Sequence, residues 1–451
     1  MFQSINPYSG QEIFKKDFES DASVLMKLKY ATTGFQTWKN LSFSQRAECI
    51  INISSEIKNR KGELAELIST EMGKSLRESL AEIEKCISSC EYYAQNTEVL
   101  LANHENHLST EEYKIKIKAQ GAVFGIMPWN FPFWQVFRYV IPNLMLGNVC
   151  LLKHAPNVGK CAEVIDEIIN NHTPIGVFQH LWIDISQIEL VIKSPIVIGT
   201  TLTGSEKAGS NLAALSGKHI KKSVLELGGS DAFIVDKTCN LEYAVEMAIK
   251  TRLQNNGQTC IAAKRFLIEE SIFEAFKVEL LHQLKLILTG NPFSNSYQYG
   301  LMARNDLVEK LLNQINSSIS EGAILLNSLE HKPNNIAPVV LEATSIQQTC
   351  MQEELFGPVF VLHPFKNIED LITIANSTNY GLAASIWSTN EEFCNKLIQN
   401  LEFGSIFINE SPRSDMTVPF GGIKKSGYGR ELSVLGLTEF ANIVTVKLYQ
   451  Q

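Results

Sequence analysis

The residues best suited to chemistry are a cysteine, a glutamate and an asparagine, each in an unusual local setting. Cys260 ends the polar, glycine-containing segment 255–260, which follows an apolar helical pattern, whereas most of the other cysteines lie within apolar patterns. A thiol in a polar loop becomes a nucleophile where a neighbouring base or positive charge favours the thiolate. The sequence therefore favours Cys260 as a nucleophile, with a small buried core residue as the alternative.

Glu226 and Asn130 have the residue types of a general base and an oxyanion-hole donor. Glu226 ends an apolar strand pattern directly before a Leu-Gly-Gly segment, where burial would raise the pKa of its carboxyl. Asn130 lies between Pro128 and Pro132, which would fix the direction of its side-chain N–H groups. The alternatives are a surface glutamate and a buried turn.

The sequence lacks the usual glycine-rich signatures of phosphate binding. No Gly-x-Gly-x-x-Gly segment follows a predicted strand, and Gly199 to Gly204 has the spacing of a Walker A loop but Ser205 where that loop needs lysine. The predicted strand 196–203 does lead into Gly204 and Ser205 at the start of a helix, where free backbone N–H groups can bind an anion. A simple N-capped turn is the alternative explanation of this segment.

Length and composition indicate a globular protein of several domains. The chain has 451 residues, 45% hydrophobic and 20% charged, which is more than one core uses. The net charge of -8 and the interspersed acidic and basic residues argue against a nucleic-acid partner or an anionic membrane surface. The apolar tract 126–152 is interrupted too often by prolines and polar residues to span a membrane, so it is expected to form buried core.

The cysteines indicate a reducing compartment. Nine of them occur without a visible exporting signal, which predicts free thiols and a cytoplasmic location. Cys86 and Cys90 are spaced i, i+4 on a predicted helix, but no second Cys or His pair has the spacing of a zinc site. We therefore expect no metal.

Predicted helices in the first hundred residues are followed by alternating strands and helices. The apolar periodicity predicts helices over 21–38, 44–60 and 62–96, the last broken near Gly73. Beyond residue 110 the predicted strands are 122–127, 149–153, 177–183, 196–203, 222–226 and 232–235. Because helical patterns lie between several of these strands, we expect a doubly wound α/β sheet, with a second α/β set from residue 241.

These elements carry ordered motifs that resemble the aldehyde dehydrogenase superfamily over almost the whole chain, and its bacterial succinate-semialdehyde dehydrogenases in particular. Glu226 and Cys260 are 34 residues apart, which is the family's spacing of general base and nucleophile. The motifs stand in the family's order: Pro128-Trp129-Asn130-Phe131-Pro132, Lys153, Thr203-Gly204-Ser205, Glu226-Leu227-Gly228-Gly229, Gly257-Gln258-Thr259-Cys260, Glu353-Glu354-Leu355-Phe356-Gly357-Pro358 and Pro419-Phe420-Gly421-Gly422.

The resemblance implies an α/β protein with the aldehyde dehydrogenase-like fold. An atypical Rossmann cofactor domain would comprise residues 1–108 and 121–228, and an α/β catalytic domain residues 229–425. A small β oligomerisation element would comprise residues 109–120 and 441–451. The C-terminal strand is a candidate to pair with the strand 113–118 of this or another subunit, and since family members assemble through such strands, the favoured hypothesis is pairing across subunits of a homodimer or homotetramer.

The resemblance also implies the roles of the motif residues. The Cys260 thiolate would attack an aldehyde, the Asn130 side chain and the Cys260 backbone N–H would hold the oxyanion, and Glu226 would activate the water that hydrolyses the resulting thioester. Lys153 and Glu354 would bind the cofactor's ribose hydroxyls. The other implied cofactor contacts are Gly204 and Ser205 at the pyrophosphate, together with Ile126, Trp129, Thr203, Leu227 and Phe356.

Cofactor and substrate choice rest on single residues. Pro156 stands where many NAD-preferring relatives have a glutamate, so the resemblance implies that NAD or NADP can serve. Arg138, eight residues after the motif asparagine, matches an arginine that binds the far carboxylate of succinate semialdehyde, a role that suits a guanidinium. A second arginine of the mammalian-type enzymes is replaced by Gln254; Arg413 could substitute for it, and Ser414 and Thr417 could also help. Succinate semialdehyde or a similar short acid-aldehyde, such as glutarate semialdehyde, is the implied substrate.

Four other functions are each compatible with part of the sequence. A broader-specificity aldehyde dehydrogenase would lack the role for Arg138. A CoA-acylating relative usually lacks the general base, so Glu226 argues against it. A catalytically idle binding or structural protein of the same fold is disfavoured by the joint presence of Asn130, Glu226, Cys260 and Glu354. A thiol hydrolase would need a histidine partner, for which no motif is present.

Overall fold

The computed structural model describes residues 1–447, so residues 448–451 of the predicted segment 441–451 lie outside its described part. The helices are α1 (Asp21–Trp38), α2 (Phe43–Asn59), α3 (Lys61–Met72), α4 (Leu76–Leu108), α5 (Trp134–Leu146), α6 (Gly159–His172), α7 (Ile188–Ile192), α8 (Glu206–Lys218), α9 (Leu241–Leu253), α10 (Phe273–Leu284), α11 (Asn305–Ser320), α12 (Thr349–Gln352), α13 (Ile368–Asn376), α14 (Glu391–Asn400) and α15 (Ser433–Thr438).

The strands are short, and helices separate several of them. They are β1 (Phe2–Ile5), β2 (Glu12–Lys16), β3 (Tyr113–Lys118), β4 (Ala122–Met127), β5 (Val149–His154), β6 (Phe178–His180), β7 (Val197–Thr203), β8 (Lys222–Glu226), β9 (Asp231–Val235), β10 (Ala263–Glu269), β11 (Ile324–Leu325), β12 (His331–Lys332), β13 (Asn335–Ile336), β14 (Val339–Glu342), β15 (Val359–Phe365), β16 (Tyr380–Gly381), β17 (Ala383–Trp387), β18 (Ser405–Ile408), β19 (Ile423–Lys424), β20 (Gly427–Tyr428) and β21 (Asn442–Lys447).

The amino-terminal helices begin and end where the sequence provides caps. The Ser20 side chain accepts a hydrogen bond from Ser23 N at the start of α1, and Ser42 and Gln45 form a capping box at α2. Gly73, with φ 80°, ends α3 in the left-handed conformation that favours glycine. The predicted long helix with a break near Gly73 is therefore present as α3 and α4.

Two sheets provide the framework for the site. The first has the strand order β20-β8-β7-β4-β5-β6, in which β4 to β8 run parallel and β20 is antiparallel. Its helices include α5, α6 and α8, so the predicted doubly wound sheet is confirmed. Because parallel strands end at one edge, the carboxyl ends of β4, β7 and β8 bring Met127, Thr203 and Glu226 to the same side.

The second sheet has the order β11-β14-β15-β10-β9-β17-β18, and its strands run parallel except β11. The segment that contains Cys260 lies just before β10, in the centre of this sheet. Glu226 ends β8 of the first sheet, and the chain enters the second sheet at β9 only five residues later. The predicted nucleophile and base therefore come from facing edges of two different sheets.

Strands β3 and β21 form a two-stranded ribbon whose pairing differs from the favoured hypothesis of pairing across subunits. The two strands pair antiparallel within one chain, with Ile117 opposite Ile443 and Ile115 opposite Thr445. The expectation that these two strands pair with each other across subunits is therefore wrong. The physical reason is that Ile117 packs on a small apolar cluster with Leu437, which brings the end of the same chain against β3.

The apolar tract 126–152 is buried as expected, but it contains a helix that the sequence did not predict. Every residue of α5 is buried, including Pro142 in its interior. Buried apolar residues around this helix belong to the large core under the first sheet. Among the described residues, no helix is both long enough and apolar enough to cross a membrane.

Candidate active site

Cys260 lies where two cavities meet. The larger cavity has a volume of about 400 Å³, and its walls include Asn130 and Glu226 as well as Cys260. The smaller one has a volume of about 190 Å³ and is lined by Arg138 together with Cys260. The structure thus places the three predicted catalytic residues around one space and opens a second, separate approach to the same thiol.

The loop that carries Cys260 has an unusual backbone. Asn255 and Asn256 both have φ 53°, and Gly257 follows with φ 76°. Asparagine tolerates the left-handed region better than most residues, whereas a Cβ on Gly257 would lie 2.3 Å from the carbonyl carbon of Gly357. The Asn-Asn-Gly segment therefore provides a tight turn between α9 and the thiol that few other sequences could form.

A buried lysine holds the far side of this loop. Lys264 Nζ donates to the carbonyl oxygens of Thr259 (3.2 Å), Cys260 (2.6 Å) and Ala262 (3.0 Å), and lies 3.7 Å from the Glu354 carboxylate. These contacts compensate the burial of the ammonium group. Lys264, which the sequence analysis did not single out, thus links the cysteine loop to a predicted cofactor residue.

The surroundings of Cys260 favour the protonated thiol over the thiolate. Burial raises the pKa of Cys260 to about 12, and the nearby positive charges of Arg138 and Lys264 oppose that rise. Because the thiolate is the nucleophilic form, chemistry at this site requires removal of the proton when substrate arrives.

Asn130 is fixed beside the cysteine loop by the backbone of that loop. The Asn130 side-chain Nδ2 donates to the backbone carbonyl oxygen of Gln258 at 2.9 Å. The backbone carbonyl oxygen of Asn130 accepts from Asn255 Nδ2 at 2.8 Å. An amide nitrogen carries two N–H groups, so one remains for an oxyanion near Cys260. This geometry suits the predicted role in an oxyanion hole.

Glu226 has the environment of a carboxyl group that changes protonation during a reaction. Both carboxyl oxygens are buried and have no hydrogen-bond partner among the described residues. Burial, and then the charge of Glu431, raise the pKa of Glu226 well above its usual value, while Arg138 and Arg430 lower it. A carboxyl group that is perturbed in this way beside a cavity can serve as a general base near neutral pH.

The larger cavity collects all of the residues predicted to bind a cofactor. Apolar side chains form much of its wall, and polar groups stand at a few positions. The predicted residues that line it are Ile126, Trp129, Lys153, Thr203, Gly204, Ser205, Leu227, Glu354 and Phe356. Its volume lies within the range of ordinary ligand and cofactor sites.

The donor set of this cavity fits a dinucleotide. Glu354 Oε1 accepts from Gly229 N at 3.0 Å, and a Cβ on Gly228 would lie 2.4 Å from Glu354 Oε2, so the glycine lets the carboxylate approach the backbone. Lys153 is buried at the end of β5, and burial lowers the pKa of its ammonium group. Ser205 accepts from Ala208 N at 3.3 Å and so caps α8. A lysine, a carboxylate and a helix amino terminus are groups that bind ribose hydroxyls and phosphates.

The residues predicted to bind substrate line the smaller cavity, but they differ in character. Arg138 is only 2% exposed, so its guanidinium does not face solvent. Gln254 is exposed at the entrance, and Arg413 is 64% exposed in its side chain and lies 3.3 Å from Glu410. Arg138 is therefore the predicted residue that lies deepest in this cavity.

Several residues of the two cavities were missed by sequence reasoning. In the larger cavity they include Arg304 and Lys310, and in the smaller one Lys85, Trp134 and Phe420, of which the last was noted only as part of a motif. The sequence carries no local signal for Lys85, which differs from other helical lysines in what packs around it. Among the described residues, no group of three His, Cys, Asp or Glu side chains is arranged to hold a metal ion.

Comparisons with known proteins agree with this architecture. The model of the aldehyde dehydrogenase family matches residues 1–446. A protein of Synechocystis sp. named probable succinate-semialdehyde dehydrogenase (NADP(+)) is 39% identical over 447 residues, which cover 98% of each chain. Succinate semialdehyde dehydrogenase (NAD(P)+) Sad of Escherichia coli is 38% identical, over 98% of this chain and 97% of its own.

Solved structures show the same fold over the whole chain. The crystal structure of succinic semialdehyde dehydrogenase from Streptococcus pyogenes in complex with NADP+ has a TM-score of 0.95 at 29% identity and covers 100% of both chains. The structure of Gox0499 has a TM-score of 0.95 at 34% identity and covers 99% of both chains. With a family model that matches nearly every residue and a fold that superimposes throughout, this chain belongs to the aldehyde dehydrogenase family.

Proposed function

We propose that this protein oxidises succinate semialdehyde to succinate with NAD or NADP as the hydride acceptor. The observation that carries the proposal is the position of Cys260 between a cavity suited to a dinucleotide and a cavity that contains cationic side chains. An aldehyde that also bears a carboxylate would match the second cavity. The relatives named above for succinate semialdehyde and NADP(+) or NAD(P)+ support this choice.

The side chains around Cys260 suit an acyl-transfer mechanism. The Cys260 thiol loses its proton to solvent as Sγ forms a bond to the aldehyde carbon, and the negative charge that develops on the carbonyl oxygen is stabilised by the second Nδ2–H of Asn130 and the Cys260 backbone N–H. A nicotinamide held in the larger cavity would accept the hydride that leaves this carbon, so that the adduct becomes a thioester. Glu226 then takes a proton from water, whose oxygen bonds to the acyl carbon as the carbon–sulfur bond breaks and the acid leaves.

The cofactor would lie between the two sheets. In the proposal, Lys153 and Glu354 bind the ribose hydroxyls, and the amino terminus of α8 with Gly204 and Ser205 faces the pyrophosphate. Residues 1–108 and 121–228 act as the cofactor domain and residues 229–425 as the catalytic domain. Pro156 has no charge that could repel the extra phosphate of NADP, so we expect both cofactors to be used.

The test is the rate of NADH and NADPH formation with succinate semialdehyde, propanal and glutarate semialdehyde. The proposal predicts that the wild type prefers an acid-aldehyde to propanal in kcat/KM. Cys260→Ala should lower kcat at least about a thousandfold with every aldehyde, since no nucleophile remains. Turnover that persists in Cys260→Ala would contradict the mechanism, and an equal preference for propanal would contradict the substrate class.

A further inference from the structure

We propose that Lys85 is a specificity-determining residue that binds the substrate carboxylate in the smaller cavity. This inference rests on the proposed function and names a binding residue that the sequence motifs do not contain. Lys85 and Arg138 are the two cations that lie inside the smaller cavity.

Lys85 reaches this cavity from α4. Its Nζ donates to Ser414 Oγ at 2.7 Å and lies 4.5 Å from the centroid of the Trp134 ring, and both of these partners also line the cavity. The loop around Ser414 and helix α5 therefore hold the ammonium group in one position. A hydroxyl beside a fixed ammonium group gives two adjacent donors, which is a suitable arrangement for a carboxylate.

The charge of Arg138 is already compensated within the protein. Its Nε lies 2.5 Å from Oε2 of the buried Glu431, in an ion-pair contact whose N–H direction is not aligned for a good hydrogen bond. Its NH2 group donates to Thr203 Oγ1 at 3.2 Å, and the guanidinium stacks 4.9 Å from the Phe420 ring centroid. An arginine that is paired in this way can orient a carboxylate by hydrogen bonds, but it adds little net positive charge.

The other charged residues of the cavity are also compensated or lie at its entrance. Glu82 forms a buried ion pair with Lys74. Glu78 accepts from Asn255 N at 2.7 Å, and burial raises the pKa of its carboxyl. Arg413 is mostly exposed and pairs with a neighbouring glutamate.

Lys85 differs from all of these groups. Within residues 1–447 it is the cavity-lining cation that has no carboxylate oxygen within 4.0 Å. Lys85 is half-buried, and its immediate partners are a hydroxyl and an aromatic ring; a substrate carboxylate would supply the opposite charge that is missing. The uncompensated charge therefore selects for an acid-aldehyde over an uncharged one.

The protonation state of Lys85 affects how well it can bind a substrate carboxylate. Burial, and then the charge of Arg138, lower the pKa of Lys85 to about 8, while Cys86, Asp415 and Glu82 oppose that shift. The substrate carboxylate stays ionised at every pH near neutrality. The ammonium form that binds it is present below pH 8 and is lost as the pH rises above that value.

The experiment compares kcat/KM for succinate semialdehyde with kcat/KM for propanal in the holoenzyme. Lys85→Met and Lys85→Gln should lower the ratio of these two values by about 30-fold, mainly through the KM for succinate semialdehyde. Lys85→Arg keeps the charge and should keep the ratio within about fivefold of the wild type. Lys58→Met, the same change at an exposed lysine of α2 outside both cavities, should leave the ratio unchanged.

The pH dependence provides a second readout that a purely structural role would not produce. In the wild type the KM for succinate semialdehyde should rise above pH 8 relative to the KM for propanal, and Lys85→Arg should abolish that relative rise. The groups that face Lys85 are Glu82 and Cys86 on its own helix, Arg138 on α5, and Asp415 in the neighbouring loop. Ionisation of Cys260 affects both aldehydes and cancels in the ratio.

The possible results separate the two levels of the proposal. A wild type without preference for succinate semialdehyde overturns the proposed function and this inference with it. A wild-type preference that survives in Lys85→Met and Lys85→Gln overturns the role of Lys85 alone. If every Lys85 variant loses turnover of both aldehydes in parallel, together with thermal stability, the residue acts in folding and the inference is also overturned.

Discussion

At the scale of single residues, the chemistry depends on a thiol that is protonated until it is needed. Because burial raises the pKa of Cys260 to about 12, the thiolate fraction should increase about tenfold per pH unit through neutrality. The rate at which iodoacetamide alkylates Cys260 in the enzyme without cofactor should therefore rise about tenfold per unit between pH 7 and pH 9. Peptide mass spectrometry measures this rate, and Cys260→Ala identifies the peptide. A rate that is already constant at pH 7 would contradict the protonated resting state.

The carboxyl group of Glu226 makes a separate prediction about thioester hydrolysis. A general base acts in its deprotonated form, and the charge of Glu431 helps to raise the pKa of Glu226. Glu431→Gln removes that charge and leaves Arg138 free to favour the ionised form, so the acid limb of the hydrolysis rate should move to lower pH. Single-turnover kinetics between pH 5 and pH 8 measures the shift. Glu66→Gln, at an exposed position of α3, is the control, and an unmoved acid limb in Glu431→Gln would refute the coupling.

Sequence alone could identify the residues whose roles depend on local motifs. Asn130 between two prolines, Glu226 before two glycines and Cys260 after an Asn-Asn-Gly segment were recognisable from type and spacing. Lys85 could not be recognised in this way, because its role depends on the lack of a paired carboxylate around its ammonium group. That property belongs to the packing of α4 against α5 and a loop more than three hundred residues away, and no local pattern contains it.

At the scale of elements, the turn between α9 and Cys260 is the most sensitive part of the site. Gly257→Ala places a Cβ 2.3 Å from the backbone of Gly357 and at a φ of 76°, which should cost about 2 kcal/mol or more and displace the thiol. We expect a lower melting temperature and at least about a tenfold loss of kcat. Thermal unfolding and steady-state kinetics check both effects.

Gly217→Ala is the matched control for this substitution. Gly217 lies in the exposed part of α8, and a Cβ there would meet no atom within 4 Å. Alanine should stabilise the helix by up to about 1 kcal/mol and leave kcat unchanged. If Gly257→Ala behaved like Gly217→Ala, the turn would not be what positions Cys260.

Most strands of the first sheet could be predicted, whereas helix α5 beside them could not. The strands 122–127 and 222–226 and the helix 21–38 have the predicted bounds. Helix α5 was missed because it is buried on all sides and therefore has no polar face to create a helical period. It also contains Pro142, whose nitrogen cannot donate to the carbonyl oxygen of Arg138 one turn earlier. The proline thus lies one turn after the arginine that lines the smaller cavity.

At the scale of the whole molecule, we propose that the β3–β21 ribbon contributes to the contact between subunits. Ile443 and Val446 are exposed apolar residues on β21, with 51% and 38% of their surfaces exposed. Ile443→Asp with Val446→Asp should convert a homodimer or homotetramer to a smaller species, since charges would be buried in the contact. Light scattering after size exclusion measures the mass. Val278→Asp, at an exposed position of α10, is the control. A wild-type mass near 50.4 kDa would show a monomer and contradict the proposal.

The arrangement of the two cavities follows from the topology and could be anticipated only in outline. The alternating pattern predicted a doubly wound sheet, and ligands of such sheets bind at the carboxyl ends of the strands. How the second sheet faces the first depends on packing between cores that are far apart in sequence. The sequence therefore could not predict that a cavity suited to a dinucleotide and a cavity with cationic side chains both reach Cys260; only the three-dimensional structure shows it.

The most direct test of the account is to trap the acyl group on the enzyme. Glu226→Gln should still form the thioester but hydrolyse it slowly, because the general base is lost. After mixing this variant with succinate semialdehyde and NADP+, intact-protein mass spectrometry should find one succinyl group per chain, located on the peptide that contains Cys260. Absence of the adduct despite NADPH formation, or a succinyl group on a different cysteine, would contradict the proposed nucleophile and its reaction.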